Sequence, residues 1–454
     1  MATVAEEHPH AAEPSVADMR LVIGASALGT IFEWYDFFIY GTLAAAKIIQ
    51  HTFLPPGNET LQDLLTWAGF AVGFAFRPLG AILFGYLGDK LGRKYTFLVT
   101  ITLMGIATAG VGLVPGYATI GIAAPLLIIL LRVAQGLALG GEYGGAAIYV
   151  SEHSPGGRSG YYTSFIQAAV VGGFILSLAV VLMFKAPLSA GQWTAWGWRL
   201  PFLFSVVLLA VSLWIRLKLS ESPVFLALKK EGRTAANPFV ESFTCPGNPK
   251  RIFVALFGVT AGMTAIWYTA MFGVLSFLSG PMHVQETAAQ LISASGALLG
   301  TGFFILSGAL SDRIGRKTPM MAGFVLTLIF LFPLFWLLGH FANPAMITTP
   351  HVPAPAQIAG IIAAILGIMA LSGLTYGPLA ACLTEMFPAR IRYSSMSIPY
   401  HFGSGYFGGF LPLVSAAIVA RTKDPYSGLW YTIAVVAMAL VVTWWGLKEA
   451  PREG

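Results

Sequence analysis

The chain has 454 residues, 56% of them hydrophobic and only 10% charged, with a formal net charge of +6. Soluble domains carry about 25% charged residues, so this composition excludes an ordinary water-soluble fold. The positive balance does not imply nucleic acid, because basic residues decorate the ends of membrane helices.

Residues 1–20, MATVAEEHPHAAEPSVADMR, carry acids, Pro and His with no basic segment leading into an apolar core, so no cleaved signal peptide is expected. Beyond them, apolar runs alternate with polar or Pro/Gly-rich breaks. Runs of about 18 apolar residues suffice to cross roughly 30 Å of hydrocarbon as helix. Twelve spans are predicted, near 21–43, 64–87, 96–115, 122–150, 161–184, 199–218, 252–279, 288–311, 318–340, 357–386, 396–420 and 427–447. The expected fold is all-α and polytopic.

The first span holds GTIFEWYDFFIYG, which puts Glu33 and Asp36 at mid-depth on one side of a helix. Arg77 falls within the second span and Arg132 within the fourth, at a depth shared with the two acids. A charge facing lipid at mid-bilayer costs about 2.5 to 3.5 kcal/mol even on the lenient insertion scale. These groups are therefore expected to face the bundle interior, where Arg132 pairs Asp36. Glu142, framed by glycines in GLALGGEYGG, is a third acid. The Gly136–Gly140 and Gly141–Gly145 spacings admit a neighbouring backbone.

Tryptophans 193, 196 and 198 crowd the fifth outer connection and suit a membrane–water boundary. The longest polar connection, 219–251, divides the chain into a 21–218 bundle and a 252–447 bundle, with tails at 1–20 and 448–454. Counted over alternate loops, 19 of the 26 Lys and Arg fall on the side of the N-terminus. The positive-inside rule then puts both termini in the cytoplasm of a plasma (inner) membrane. In the second bundle Trp267, Tyr268, Tyr376, Tyr400 and His401 are the polar-tipped candidates for solute contact.

The halves repeat. GYLGDKLGRK (85–94) follows the second span and GALSDRIGRK (308–317) the eighth, while Ser151-Glu152 ending the fourth span matches Thr384-Glu385 ending the tenth. Duplicated six-helix halves are a transporter architecture. Neither basic loop is a P-loop, since no strand precedes it and the Walker spacing is absent. GSGYFG (403–408) satisfies G-x-G-x-x-G, but inside a helix it marks close packing.

On these residues the chain resembles the major facilitator superfamily over essentially its whole length. Both loops fit its signature: Gly85, Asp89, Gly92, Arg93 and Lys94 in one copy, Gly308, Asp312, Gly315, Arg316 and Lys317 in the other. FEWYDFFIYG and RVAQGLALGGEYGGA are similar to the metabolite:proton symporters, which include citrate, α-ketoglutarate, shikimate and proline or betaine permeases. The resemblance implies that Asp89 and Asp312 meet helix ends, with Arg93 and Arg316 pairing acids such as Glu152 and Glu385 in one conformation. It also implies proton-coupled import of a small organic solute, most readily a carboxylate. Alternatives on the same fold are a zwitterion symporter and a proton-driven antiporter. More distant sugar–proton relatives place a coupling Asp in the first span near an Arg of the fourth, which favours Asp36 over Glu33 as the proton carrier; Glu142 is either a cavity-lining acid or an interior hydrogen-bonding brace.

Eight histidines lie mostly in tails, loops and span ends, without H-E-x-x-H. No metal, cofactor or enzyme activity is expected. Cys245 and Cys382 are not expected to pair. The expected partners are the solute, H+ and the lipid bilayer, not nucleic acid, and the expected state is a monomer.

Overall fold

The computed structural model describes residues 16–91, 93–141, 143–218, 238–388 and 391–449. Gly92 and Glu142 lie outside them, as do the surroundings of Gly85 and the side chains of Asp89, Arg93, Lys94 and Glu152.

Among the described residues, twelve long helical stretches follow in chain order, and ordinals are used for them below. The first is Val16–Ala45. The second is Glu59–Ala75, capped by the Asn58 side chain, and continues as Arg77–Leu91. The third is Arg93–Leu113, and the fourth is Ala123–Gly140 continued as Tyr143–His153. The fifth is Ser159–Lys185 and the sixth Arg199–Lys218. Then come Asn248–Ser279, Glu286–Ile314, Lys317–Ala342, Pro355–Met386, Arg392–Thr422 and Leu429–Gly446. Among the described residues β-pairing is limited to one isolated bridge, Val284 to His351.

Several ends differ from the sequence expectation. The first helix is already formed at Val16, the second begins at Glu59 and the seventh at Asn248, because helices run past their apolar stretch into polar surroundings. Gly247, at φ 77°, and Pro249 in the first turn set the latter start.

Apolar side chains cover the outside of the bundle. Leu113, Leu130, Leu298, Leu306 and Val441 each expose more than 60% of their surface. Soluble monomers rarely leave contiguous apolar patches beyond a few hundred Å². The chain is a multi-pass membrane protein, and charged groups at depth turn inward.

Glycines set the contact between second and fourth helices. A Cβ on Gly136 would meet the carbonyl of Gly73, and one on Gly140 the carbonyl of Arg77. Gly80 faces the backbone of Leu137 in the same way. This closeness brings Arg132 of the fourth helix to the main chain of the second, while Arg77 of the second helix reaches Tyr400 of the other half.

The halves meet along the fifth and eighth helices and along the second and eleventh. Ser151 and Thr384, equivalent positions of the repeat, hydrogen-bond to each other at 3.0 Å. Equivalent residues touch only near the axis that relates two repeats, so this contact locates the pseudo-twofold at the Lys/Arg-rich end, called the basic end below.

Candidate functional site

Asp36 and Glu33 are buried on the first helix, with 5% and 8% of their surface exposed. Arg132 is wholly buried. Its guanidinium does not form the expected ion pair with Asp36. It donates to the carbonyls of Phe37 (3.3 Å), Gly69 (3.4 Å) and Phe70 (3.3 Å) and to Oε1 of Gln135 (2.7 Å). The rings of Phe37 and Tyr40 lie 4.4 and 4.7 Å from its central carbon. The physical reason is local: three carbonyls left accessible by the closely packed first and second helices form a ready acceptor set, and charge-assisted bonds to them offset desolvation.

Gln135 joins this group to the first and third helices. Its Nε2 donates to the main-chain carbonyl of Asp36 (3.3 Å) and to Thr108 Oγ1 (2.7 Å). Gln135 was not among the expected site residues. A signal existed, since an amide one helical turn from an intramembrane Arg is a natural partner for it.

Arg77 is bonded differently. It is also wholly buried, yet Nε, Nη1 and Nη2 find no hydrogen-bond partner among the described residues. Its central carbon lies 5.1, 5.3 and 5.7 Å from the ring centres of Trp34, Phe74 and Tyr400. Cation–π contacts contribute about 0.5 to 2 kcal/mol each. A buried cation without an acceptor costs more than that.

Next to it, between the halves, is a cavity of about 10 Å³, walled in part by Trp34 of the first helix and Trp267, Tyr268, Tyr376 and Tyr400 of the second half. The four expected second-half aromatics thus converge on one place. His401 is fully buried beside Tyr400, with neither ring nitrogen bonded. Trp34 and Phe38 (stacked 5.3 Å from Trp267) were not singled out from the sequence, because within a mostly aromatic run nothing marks which ring faces inward.

The chamber is closed at the basic end. Tyr143 of the fourth helix stacks flat on Tyr400 of the eleventh, with centres 3.6 Å apart and planes at 5°. Tyr393 donates from its hydroxyl to the Gly141 carbonyl at 3.0 Å. Further out, Asp312 caps the fifth helix by accepting from the main-chain N–H of Gly160 and Tyr161, both at 2.8 Å. Arg316 holds Asp312 (2.6 Å) and Glu385 (2.8 Å), and it donates to Ser159 Oγ (2.7 Å). Burial opposes the charge on Arg316, but Glu385 and Asp312 outweigh it and hold the guanidinium pKa above its ordinary value. Gly315, at φ 92°, turns the chain so that Lys317 can follow, with its N–H donating to Glu449 (2.9 Å) and its ammonium to the carbonyls of Trp444 and Leu447. Gly308 packs against the Gly160 backbone across the same seam.

The opposite end is open. A vestibule of about 560 Å³ runs down to Trp67 and Phe272, lined by Lys47, Glu59 and Asp63 from the first half and His283 and Glu286 from the second. The geometry is that of a vestibule open at the end opposite the basic one, above a sealed chamber latched at the basic end.

Comparison with known proteins identifies this architecture. The family model described as "Sugar (and other) transporter" matches residues 21–250 and 268–450. The chain belongs to that family of the major facilitator superfamily. The transporter is 36% identical to the inner membrane metabolite transport protein YhjE of Escherichia coli over 92% of both chains. It is 32% identical to the glycine betaine/proline/ectoine/pipecolic acid transporter OusA of Dickeya dadantii, covering 96% of this chain and 84% of that one. It is also 32% identical to the alpha-ketoglutarate permease of E. coli, over 93% and 92%. Among solved structures, the proton:xylose symporter XylE bound to 6-bromo-6-deoxy-D-glucose matches with a TM-score of 0.70 at 17% identity, covering 95% and 96%, which shows the shared fold. These relatives are transporters rather than enzymes, and the transporter is a metabolite carrier of this superfamily.

Proposed function

We propose that the protein imports a small carboxylate-bearing solute across the inner membrane together with a proton, by alternating access, with the basic end and both termini in the cytoplasm. The observation that carries this reading is Arg77: a fully buried guanidinium with no hydrogen-bond partner among the described residues, at the seam between the halves. The solute carboxylate docks there, since the planar fork suits bidentate binding. Its negative charge then sits in the same low-dielectric interior as Asp36 and Glu33 and raises their affinity for a proton. Solute and proton therefore bind cooperatively, each strengthening the other by the same factor. Arg132 holds the first, second and fourth helices in register. With both cargoes bound the chamber is closer to neutral, the basic-end latch opens and the halves rock.

The test is the pH dependence of solute binding to purified protein. Affinity rises as pH falls in the wild type, and Asp36→Asn removes that dependence together with uphill accumulation while counterflow exchange survives. Binding that weakens as pH falls marks antiport and overturns the proposal.

A further inference from the structure

Apart from the chamber and the vestibule, a groove of about 320 Å³ lies at the basic end, between the ends of the seventh, ninth, tenth and twelfth helices. Five cations line it, Lys250, Arg251, Arg316, Lys317 and Lys448, against two acids, Glu385 and Glu449. Both acids are engaged within the wall. Glu385 holds Arg316 at 2.8 Å, and Glu449 accepts the main-chain N–H of Lys317 at 2.9 Å. Lys250, Arg251 and Lys448 are exposed and make no ion pair among the described residues, so the groove keeps an excess of positive charge. The positive-inside rule explains why such residues lie on one side of a membrane, but it does not require them to converge on one groove.

The flank of the groove is apolar. The Lys250 ammonium lies 4.2 Å from the ring centre of Trp445, and the Lys317 ammonium 5.9 Å from that of Trp444. Both rings expose more than 60% of their surface, as tryptophans at a membrane–water boundary do. Phe253, one turn after Lys250, and Val441, one turn before Trp445, are exposed on the same helix faces. We infer that the groove binds an acidic phospholipid, with its phosphate among Lys250, Arg251 and Lys448 and an acyl chain along Phe253, Trp445 and Val441. The cations match the phosphodiester. The apolar strip that leads away from them matches a lipid chain and has no use for a soluble phosphate. Basic pockets between membrane helices hold acidic head groups by this chemistry.

Full-length protein in detergent is titrated with dioctanoyl phosphatidylglycerol, with dioctanoyl phosphatidylcholine and with sn-glycerol 3-phosphate, read by native mass spectrometry. Phosphatidylglycerol is expected to saturate a single site about fivefold or more tightly than phosphatidylcholine, and glycerol phosphate not to saturate over the same range. Two variants, each removing two exposed cations from the basic end, separate a site from diffuse surface charge. Lys250→Gln/Arg251→Gln is expected to lose about 25-fold in phosphatidylglycerol affinity, at about fivefold per cation. Arg158→Gln/Arg313→Gln, with the same change in charge, is expected to keep wild-type affinity. The inference is overturned by equal affinity for the two lipids, by equal losses in the two variants, or by wild-type affinity in Lys250→Gln/Arg251→Gln. Glycerol phosphate binding as tightly as phosphatidylglycerol also overturns it, in favour of a soluble phosphate ligand.

Discussion

Replacing Asp312 with Asn removes one negative charge from the seam that closes the basic end. In the structure its carboxylate accepts two main-chain N–H bonds from the fifth helix at 2.8 Å, and Arg316 steadies it at 2.6 Å. Of the bonds that Asp312 makes, the two N–H bonds cross between halves and the Arg316 pair does not, so the N–H bonds are the part of this carboxylate's set that distinguishes the latched state from the open one. Hydrogen bonds to a charged group contribute about 1.5 to 3 kcal/mol each in net terms. Asn keeps one acceptor oxygen but turns an NH₂ toward the second N–H, so the expected loss is about 2 to 4 kcal/mol. At about 1.4 kcal/mol per tenfold, the equilibrium shifts toward the basic-end-open state by roughly 30- to 700-fold. Spin labels replacing the exposed Arg158 and Arg313, in a background lacking Cys245 and Cys382, measure the distance between the fifth and eighth helices by pulsed dipolar spectroscopy. The wild type gives a dominant short distance and the variant a longer one. An unchanged distribution in folded, monodisperse variant refutes the latch.

Three further outcomes follow from the packing. Gly136→Val drives a side chain into the Gly73 carbonyl, where backbone must shift, and is expected to lower folded yield severely, as read by size-exclusion fluorescence; normal yield contradicts the close crossing of second and fourth helices. Gln135→Leu strands a guanidinium N–H of Arg132 and removes the amide that donates to Thr108 Oγ1 and to the Asp36 carbonyl, destabilising the protein by about 2 to 4 kcal/mol, and a thermal midpoint equal to wild type shows that the network is not formed. Tyr400→Ala removes the flat stack on Tyr143 and is expected to open the chamber to water from the basic end. That appears as faster labelling of a cysteine placed at Ser404 by a reagent applied to that side, and unchanged labelling places the inner seal elsewhere.

The fold was legible because hydrophobic run length is a strong signal and the repeat supplies its own check: Ser151 and Thr384 match in sequence and touch in space. Helix ends were less so, since polar turns such as Asn248–Arg251 continue a helix without continuing its hydropathy. In the site, inward-facing charges were legible from the cost of exposing them to lipid. Their partners were not. An Arg in an apolar helix can be satisfied by an acid or by carbonyls, and which one it meets depends on how closely helices approach, a three-dimensional quantity set here by Gly73 and Gly136. That is why Arg132 read as the partner of Asp36 and instead holds the main chain, leaving Arg77 as the available cation.

The most direct measurement is the current and internal pH of proteoliposomes on addition of a solute that binds. The account predicts that solute moving down its gradient carries protons in with it and acidifies the lumen, and that Asp36→Asn abolishes the acidification. Solute entry with no proton movement, or with protons leaving as solute enters, would contradict it.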